Sequence, residues 1–362
     1  MKQKKVLLGM SGGVDSSVAA LTLKKQGCKV IGAFLCSYPN KSPLFDIECP
    51  FAGDNKLAQK IAAKLKIPFI EIDTRSNYLN KVINPMINSY AKGLTPNPDT
   101  YCNKITKFPA LWKEAKKLGA DYIATGHYAR LKKTNSGFQL LAGKDKTKDQ
   151  SYFLYQLSQS TLSHTLFPNG NLKKTETREI AKRNKFPNWN KKSSTGICFI
   201  GKKDMKSLLR ANIPEKQGPV IDAEGKEIGT HPGAHFFTIG ERIGERHNVI
   251  INKKYKNKTK LYVAEKKANT LLVATKNSPL LKRKKITIKS MRLINPKEPI
   301  PKDNIKARIR HLGSLLPGKL KKQKNKYIFT LKKPTEALAE GQAIVLYHKQ
   351  KVIGGGEMLK LK

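Results

Sequence analysis

An α/β fold is predicted for this 362-residue chain: a doubly wound parallel sheet at the N-terminal end, then a helical and β central portion, then a small C-terminal β-barrel. Three observations carry that expectation. Residues 1 to about 160 alternate apolar runs of strand length with segments of helical period. The first such run passes through a glycine-rich turn directly into the first helix. After Gly218 the chain changes to short β-rich pieces punctuated by glycine and proline.

Strands are expected at Lys5–Gly9, Lys29–Leu35, Pro68–Asp73 and Asp121–Thr125. Helices are expected between them at Val14–Gln26, Asp54–Lys66, Asn80–Ala91 and Lys107–Leu118. In the second of these, Leu57, Ile61, Ala62 and Leu65 share one face. Pro109 is tolerable because it falls near a helix start. Residues 1–160 therefore read as one domain. Residues 161–217 read as a polar helical connector, clearest from Thr175 to Lys185. A small central β domain (218–280) and a basic terminal β-barrel (281–362) follow.

Lysine and arginine number 71 against 26 acidic residues, a formal +45, which suits a polyanionic partner. A hydrophobic fraction of 39% excludes collagen, coiled coil and wholesale disorder. Residues 281–362 hold 22 basic and 5 acidic side chains, the densest charge in the chain. Lysine supplies most of the surplus, as compositional drift would, so only part of it is expected to mark a surface that holds nucleic acid through charge. No run of 18 apolar residues occurs, and the apolar segment from Val6 stops at Ser11-Gly12-Gly13. Neither a membrane span nor a secretory leader is expected, which predicts a cytoplasmic protein.

The five cysteines form no CxxC pair and no zinc-like spacing. Cys28 and Cys36 flank an apolar run and read as packing, and Cys49 is undecided. Cys102 and Cys198 fall in polar segments expected to be loops, where thiols are more often reactive. His231 and His235 have Pro232 and Gly233 between them, so no helical metal pair is expected.

The strongest local signal is Gly9-Met10-Ser11-Gly12-Gly13-Val14-Asp15-Ser16-Ser17. Two glycines let backbone N–H groups turn toward an anion, and the serine hydroxyls and helix N-terminus add donors, so a phosphate or pyrophosphate is expected there. The spacing and lysine of a Walker loop are missing. Asp15 suggests a magnesium ion or a water network beside the phosphates. Gly126, at the carboxyl end of a strand, leaves room for a ligand to approach closely. Asn97-Pro98-Asp99 offers amide and carboxylate groups, and Asp99 stands three residues before Cys102, where a carboxylate can act as general acid or base.

The loop resembles the SGGxDS signature of the PP-loop ATP pyrophosphatases, which cleave ATP between the α and β phosphates and adenylate a substrate oxygen. Within them the chain resembles, over nearly its whole length, the MnmA/TrmU group of bacterial tRNA-specific 2-thiouridylases. The further matching segments are Asn97–Asn103, Ala124–Arg130, Lys148–Leu154, Ser194–Gly201 and Gly354–Gly356. The resemblance implies ATP and Mg2+ as cofactors, with Gly9 to Ser16, Leu35 and Gly126 at the nucleotide. It implies tRNA as partner, 2-thiolation of the wobble uridine, Cys198 as persulfide carrier and Cys102 as nucleophile. A transient Cys102–Cys198 disulfide then needs a cellular reductant, and a persulfide sulfur donor reloads Cys198. It implies tRNA or base contacts for Asn97, Pro98, Asp99, His127, Lys148, Asp149, Gln150, Arg308, Ile309, Arg310 and Gln342.

The chain departs from the family pattern at Gly240–His247, which puts the central-domain contact in question, and at Ala339-Glu340-Gly341-Gln342, which shifts that loop. An amidating ligase with the same loop is the alternative enzyme, and it needs no paired thiols. A thiolase using an iron–sulfur cluster is disfavoured by the missing CxxC, and a non-catalytic RNA-binding protein by the intact Asp15 and Ser16.

Overall fold

The computed structural model describes residues 3–37, 41–42, 45–48, 52–192, 205–244, 248–255 and 260–361. Cys49, the segment Ser194–Gly201 with Cys198, and Glu245-Arg246-His247 lie outside the described residues. Five parallel strands form the N-terminal sheet: β1 (Lys5–Gly9), β2 (Lys29–Cys36), β3 (Phe69–Asp73), β4 (Tyr122–Thr125) and β5 (Thr165–Leu166), in the order β3-β2-β1-β4-β5. The four expected strands are present to within one residue at each end. The two-residue β5 was not expected, because it is too short to show a period.

Side chains alternate across β1 and its neighbours, so the sheet is packed on both faces. Val6, Leu8 and Val30 pack with α1 (Val14–Lys25), with α2 (Ala52–Lys64) and with Ala181 of α4 (Lys174–Arg183). Leu7, Ile31, Ala33 and Ile123 pack on the opposite face with Phe108, Leu111 and Ala115 of α3 (Phe108–Lys117). Strand order reverses at β1, between β2 and β4. In such sheets the crevice beyond the strands' carboxyl ends takes the ligand.

Two helical runs differ from expectation in the same way. Arg75–Ala91 and Pro98–Lys117 are continuous helical stretches, and each contains one wide turn, at Leu79–Ile83 and at Cys102–Lys107. Each wide turn ends just before a proline, Pro85 or Pro109. A proline ring offers no N–H and crowds the carbonyl four residues back, and the extra residue in the turn relieves both conflicts. Cys102 is therefore helical, not in the loop that its polar neighbours suggested. Asn97 caps the run by accepting Thr100 N–H at 3.3 Å, and Pro98 follows it in the first turn.

The central β portion is a five-stranded sheet whose core includes Val220, Ile228, Val263 and Val273. The same cluster takes in Ile83, Met86 and Tyr90, with Cys102 and Met205 packed on its edge. Beyond it, Arg283–Leu293, Lys326–Thr335, Leu316–Gln323, Ile305–Arg308, Ala343–His348 and Lys351–Leu361 form a ring closed by pairing of the first with the last, a six-stranded barrel. The hairpin Ala129–Thr134/Gly137–Ala142, which sequence reading left unassigned, joins this sheet through Leu141 opposite Lys351. The triple glycine lies in the last strand. A side chain at Gly355 would come within 2.8 Å of the Tyr155 ring, so the glycine there lets the barrel pack against the N-terminal portion.

Candidate active site

A cleft of about 1100 Å³ opens at the carboxyl edge of the parallel sheet. Gly9, Met10, Ser11, Gly13, Val14, Asp15, Ser16, Leu35 and Gly126 all line it. The glycine-rich loop is held tightly. Met10 N–H donates to Ala33 O at 2.7 Å, and the Ser16 hydroxyl donates to Gly13 O at 3.0 Å. Gly12 has φ +68°, and a side chain there would strike the Asp54 carbonyl at 2.2 Å. Gly126 is constrained differently from the expectation: a Cβ would meet Ser16 N at 2.8 Å, so its bareness first lets the chain pass the start of α1.

Four residues that hold the loop were not foreseen. Buried Asn188 donates to Gly12 O at 2.9 Å and to Ser17 Oγ at 3.0 Å. Buried Asn169 donates to Asp15 O at 2.8 Å and Gly126 O at 3.2 Å. The Asp15 carboxylate accepts from Tyr128 OH at 2.7 Å and from Lys174 Nζ at 2.5 Å. All four lie more than a hundred residues downstream of the loop, where no spacing rule reaches.

From the other face of the sheet come Asp99, Cys102 and Lys107, which line the same cleft. Burial pushes the Cys102 thiol above its ordinary pKa; the nearby Lys107 ammonium pulls it back and the Asp99 carboxylate pushes it further up. The thiol is thus protonated at neutral pH and needs a base to react. His127 accepts or donates at Nδ1 with Thr125 Oγ1 at 2.8 Å, and burial together with Lys107 drives its pKa well below the ordinary imidazole value. It is a neutral wall group. Cys36 also faces the cleft and bonds Glu71 Oε2 at 3.4 Å, so it is more than the packing residue expected.

The predicted RNA contacts divide. Lys148, Gln150 and His127 line the cleft, and Arg310 is exposed on the barrel. Asp149 and Arg308 are buried instead, 1% and 8% exposed, and bonded to each other at 2.6 Å. Asp149 also accepts from Gly143 N and Ser151 N, each at 3.0 Å. Ile309 is buried in the barrel core. Asp149 and Arg308 clamp the barrel to the N-terminal portion, and none of the three faces solvent. Asn97 and Gln342 find each other, Nδ2 to Oε1 at 3.1 Å, while Thr95 N–H donates to Glu340 O at 2.8 Å. The barrel thus touches the helical run that carries Cys102. His311 and Leu312, just beyond Arg310, reach the cleft wall, and the His311 ring lies 4.3 Å from that of Phe153.

A doubly wound sheet with a braced glycine-rich loop at its switch point defines a nucleotide-binding α/β protein of the HUP type. A family model described as "tRNA methyl transferase HUP domain" matches residues 4–202, a PRC-barrel model of the same series 206–275, and an aminomethyltransferase β-barrel model 283–358. The tRNA-specific 2-thiouridylase MnmA of Malacoplasma penetrans is 40% identical over 98% of each chain, and that of Karelsulcia muelleri is 40% identical over 98% of this chain and 99% of its own. That of Francisella tularensis subsp. novicida is 37% identical over 99% of this chain and 100% of its own. The chain belongs to the tRNA-specific 2-thiouridylase family. Among solved structures, the NMN synthetase of Francisella tularensis aligns with a TM-score of 0.33 at 16% identity, over 53% of this chain and 67% of that one.

Proposed function

We propose that this chain converts the wobble uridine of tRNA to 2-thiouridine at the expense of ATP, in the cytoplasm. What carries the reading is that one cleft is lined by the anion-binding loop from one face of the sheet and by Asp99 and Cys102 from the other. ATP sits with its phosphates on the loop and its adenosine toward Leu35. The uridine C2 oxygen attacks the α phosphorus, the bond to the β phosphate oxygen breaks, and pyrophosphate leaves. The oxygen is now part of a good leaving group. Asp15 fits a magnesium ion that arrives with the phosphates: it offers one cleft-facing carboxylate, and among the described residues no group of three or more His, Cys, Asp and Glu forms a protein-only site. Such an ion would neutralise charge on the leaving pyrophosphate.

Sulfur comes from Cys198, loaded as a persulfide by a donor protein. Its segment lies outside the described residues, but Lys192 before it lines the cleft, and Met205 after it packs on the same core edge as Cys102. Cys102 attacks the Cys198 Sγ and frees sulfide to displace AMP from C2, or Cys102 displaces AMP from C2, the outer persulfide sulfur displaces Cys102 in turn, and the freed Cys102 thiolate attacks Cys198 Sγ, breaking the S–S bond and leaving the sulfur on C2. Both routes leave a Cys102–Cys198 disulfide, and a cellular reductant supplies two electrons to reopen it. Asp99 takes the Cys102 proton, which the raised pKa of that thiol requires. Lys148, Gln150 and Arg310 hold tRNA. Family membership fits sulfur transfer and not the amidating alternative.

The test is mass spectrometry of nucleosides from tRNA incubated with the protein, ATP, magnesium and a persulfide source. Thiolated uridine is expected, with loss in both Cys102→Ser and Cys198→Ser. Full retention in both variants would overturn the thiol mechanism.

A further inference from the structure

We propose that Lys174 is the residue that reads the β and γ phosphates of ATP, held ready on Asp15 until the nucleotide arrives. The inference rests on the ATP reading above and deepens it. Lys174 begins α4, its side chain is nearly buried, and it lines the cleft together with Asp15. It lies 2.5 Å from Asp15 Oδ1, the acidic residue of the glycine-rich loop, and 6.0 Å from the Tyr128 ring centroid. A lysine with so little access to water is costly unless its charge is answered, and the answering carboxylate here belongs to the loop itself.

The direction of the nucleotide follows from the sheet. Leu35 is on β2, to one side of β1, while Tyr128 follows β4 on the other side. Asp99 and Cys102 lead into α3 on one face, and α1 and α4 cover the opposite face. Adenosine at the β2 flank and the reacting base on the α3 face leave the β and γ phosphates on the α1/α4 face beside Asp15. A triphosphate brings about four negative charges there, and the glycine-rich loop has no lysine of the Walker kind. Lys174 supplies the missing cation from 159 residues away in sequence. It neutralises charge that grows on the pyrophosphate as the α–β bond breaks.

Calorimetric titration of the full chain with ATP, AMP and inorganic pyrophosphate separates the readings. In Lys174→Met the affinity for ATP and for pyrophosphate should fall at least tenfold, while that for AMP, which has only the α phosphate, changes less than about twofold. Lys174→Arg should restore ATP binding to within about threefold. Equal loss for ATP and AMP in a variant with an unchanged melting curve would make the lysine a brace of the loop and overturn the proposal. Unchanged ATP binding would overturn it too. Wild-type protein that binds no ATP would sink the nucleotide reading itself, and that result is distinct from both.

Discussion

The glycine-rich loop at Gly9–Ser17 and the barrel segment Arg308–Leu312 approach one cleft from the two ends of the chain, and they are built on different principles. The loop's turn follows from local rules, a glycine at φ +68°, two serine hydroxyls that close on Gly13 O and a helix start, and distant Asn169 and Asn188 then brace it. The barrel segment is placed by a partner far away in sequence, the buried Asp149 that grips Arg308. A local motif can be recognised from neighbouring residues. A residue fixed by a distant ion pair cannot, and its arginine looks like an RNA contact until its burial is known.

That contrast is broken or sharpened most strongly at Arg308. Arg308→Met leaves the Asp149 carboxylate buried among two backbone N–H groups with no counter-charge, which should cost about 3–5 kcal/mol. Urea unfolding should begin markedly earlier, and Arg308→Met with Asp149→Asn together should recover part of the loss. Unchanged stability with weakened tRNA binding would return Arg308 to the RNA surface. The loop side is tested at Asn188. Asn188→Ala removes both donors from Gly12 O and Ser17 Oγ, and a buried carbonyl left unpaired costs about 1–3 kcal/mol. ATP affinity measured by titration should drop about tenfold; an unaltered affinity would show that the loop keeps its shape by local geometry alone.

Between these two regions lies a contact that joins them. Tyr101, the residue before Cys102, donates its hydroxyl to Glu357 of the last barrel strand, next to the triple glycine. Burial and Glu357 together raise the Tyr101 pKa. The barrel thereby positions the nucleophile's turn, through Tyr101 as well as through the Asn97–Gln342 bond. Glu357→Gln should lower the rate of thiolation about fivefold, a loss near 1 kcal/mol, while ATP affinity and KM for ATP stay unchanged. A parallel loss of nucleotide affinity would mean that the substitution loosens the whole cleft.

Four of the sheet's five strands were legible because they are apolar and flanked by helices of clear period, and the loop because glycines and serines crowd after a strand. Cys102 and Asp99 were legible as residues, but not as parts of one helix, because the wide turn before Pro109 has no signature in the periodicity. Lys174, Asn169 and Asn188 were illegible: one lysine among 71 basic residues and two asparagines in a polar stretch carry no local signal. The burial of Asp149 and Arg308 was illegible because it depends on the barrel's docking, and that of Ile309 because it depends on the barrel's closure, neither of which neighbours in sequence report.

The smallest effect concerns the Cys102 thiol, and it asks whether the face opposite the loop is tuned by neighbours as the loop is. Burial raises its pKa, Lys107 lowers it and Asp99 raises it. Below its pKa a thiol loses about tenfold in thiolate for each pH unit, so alkylation by iodoacetamide without substrates should be slow at pH 8 and climb only above the ordinary thiol range. Lys107→Met removes the lowering charge and should slow labelling several-fold, whereas Asp99→Asn removes a raising one and should speed it. Cys36, pushed up to about 11 by burial and by Glu71, serves as a slow reference in the same peptide map. A Cys102 profile that follows a free thiol, and that neither substitution moves, would show that the cleft leaves the nucleophile untuned and that Asp99 acts on the base instead.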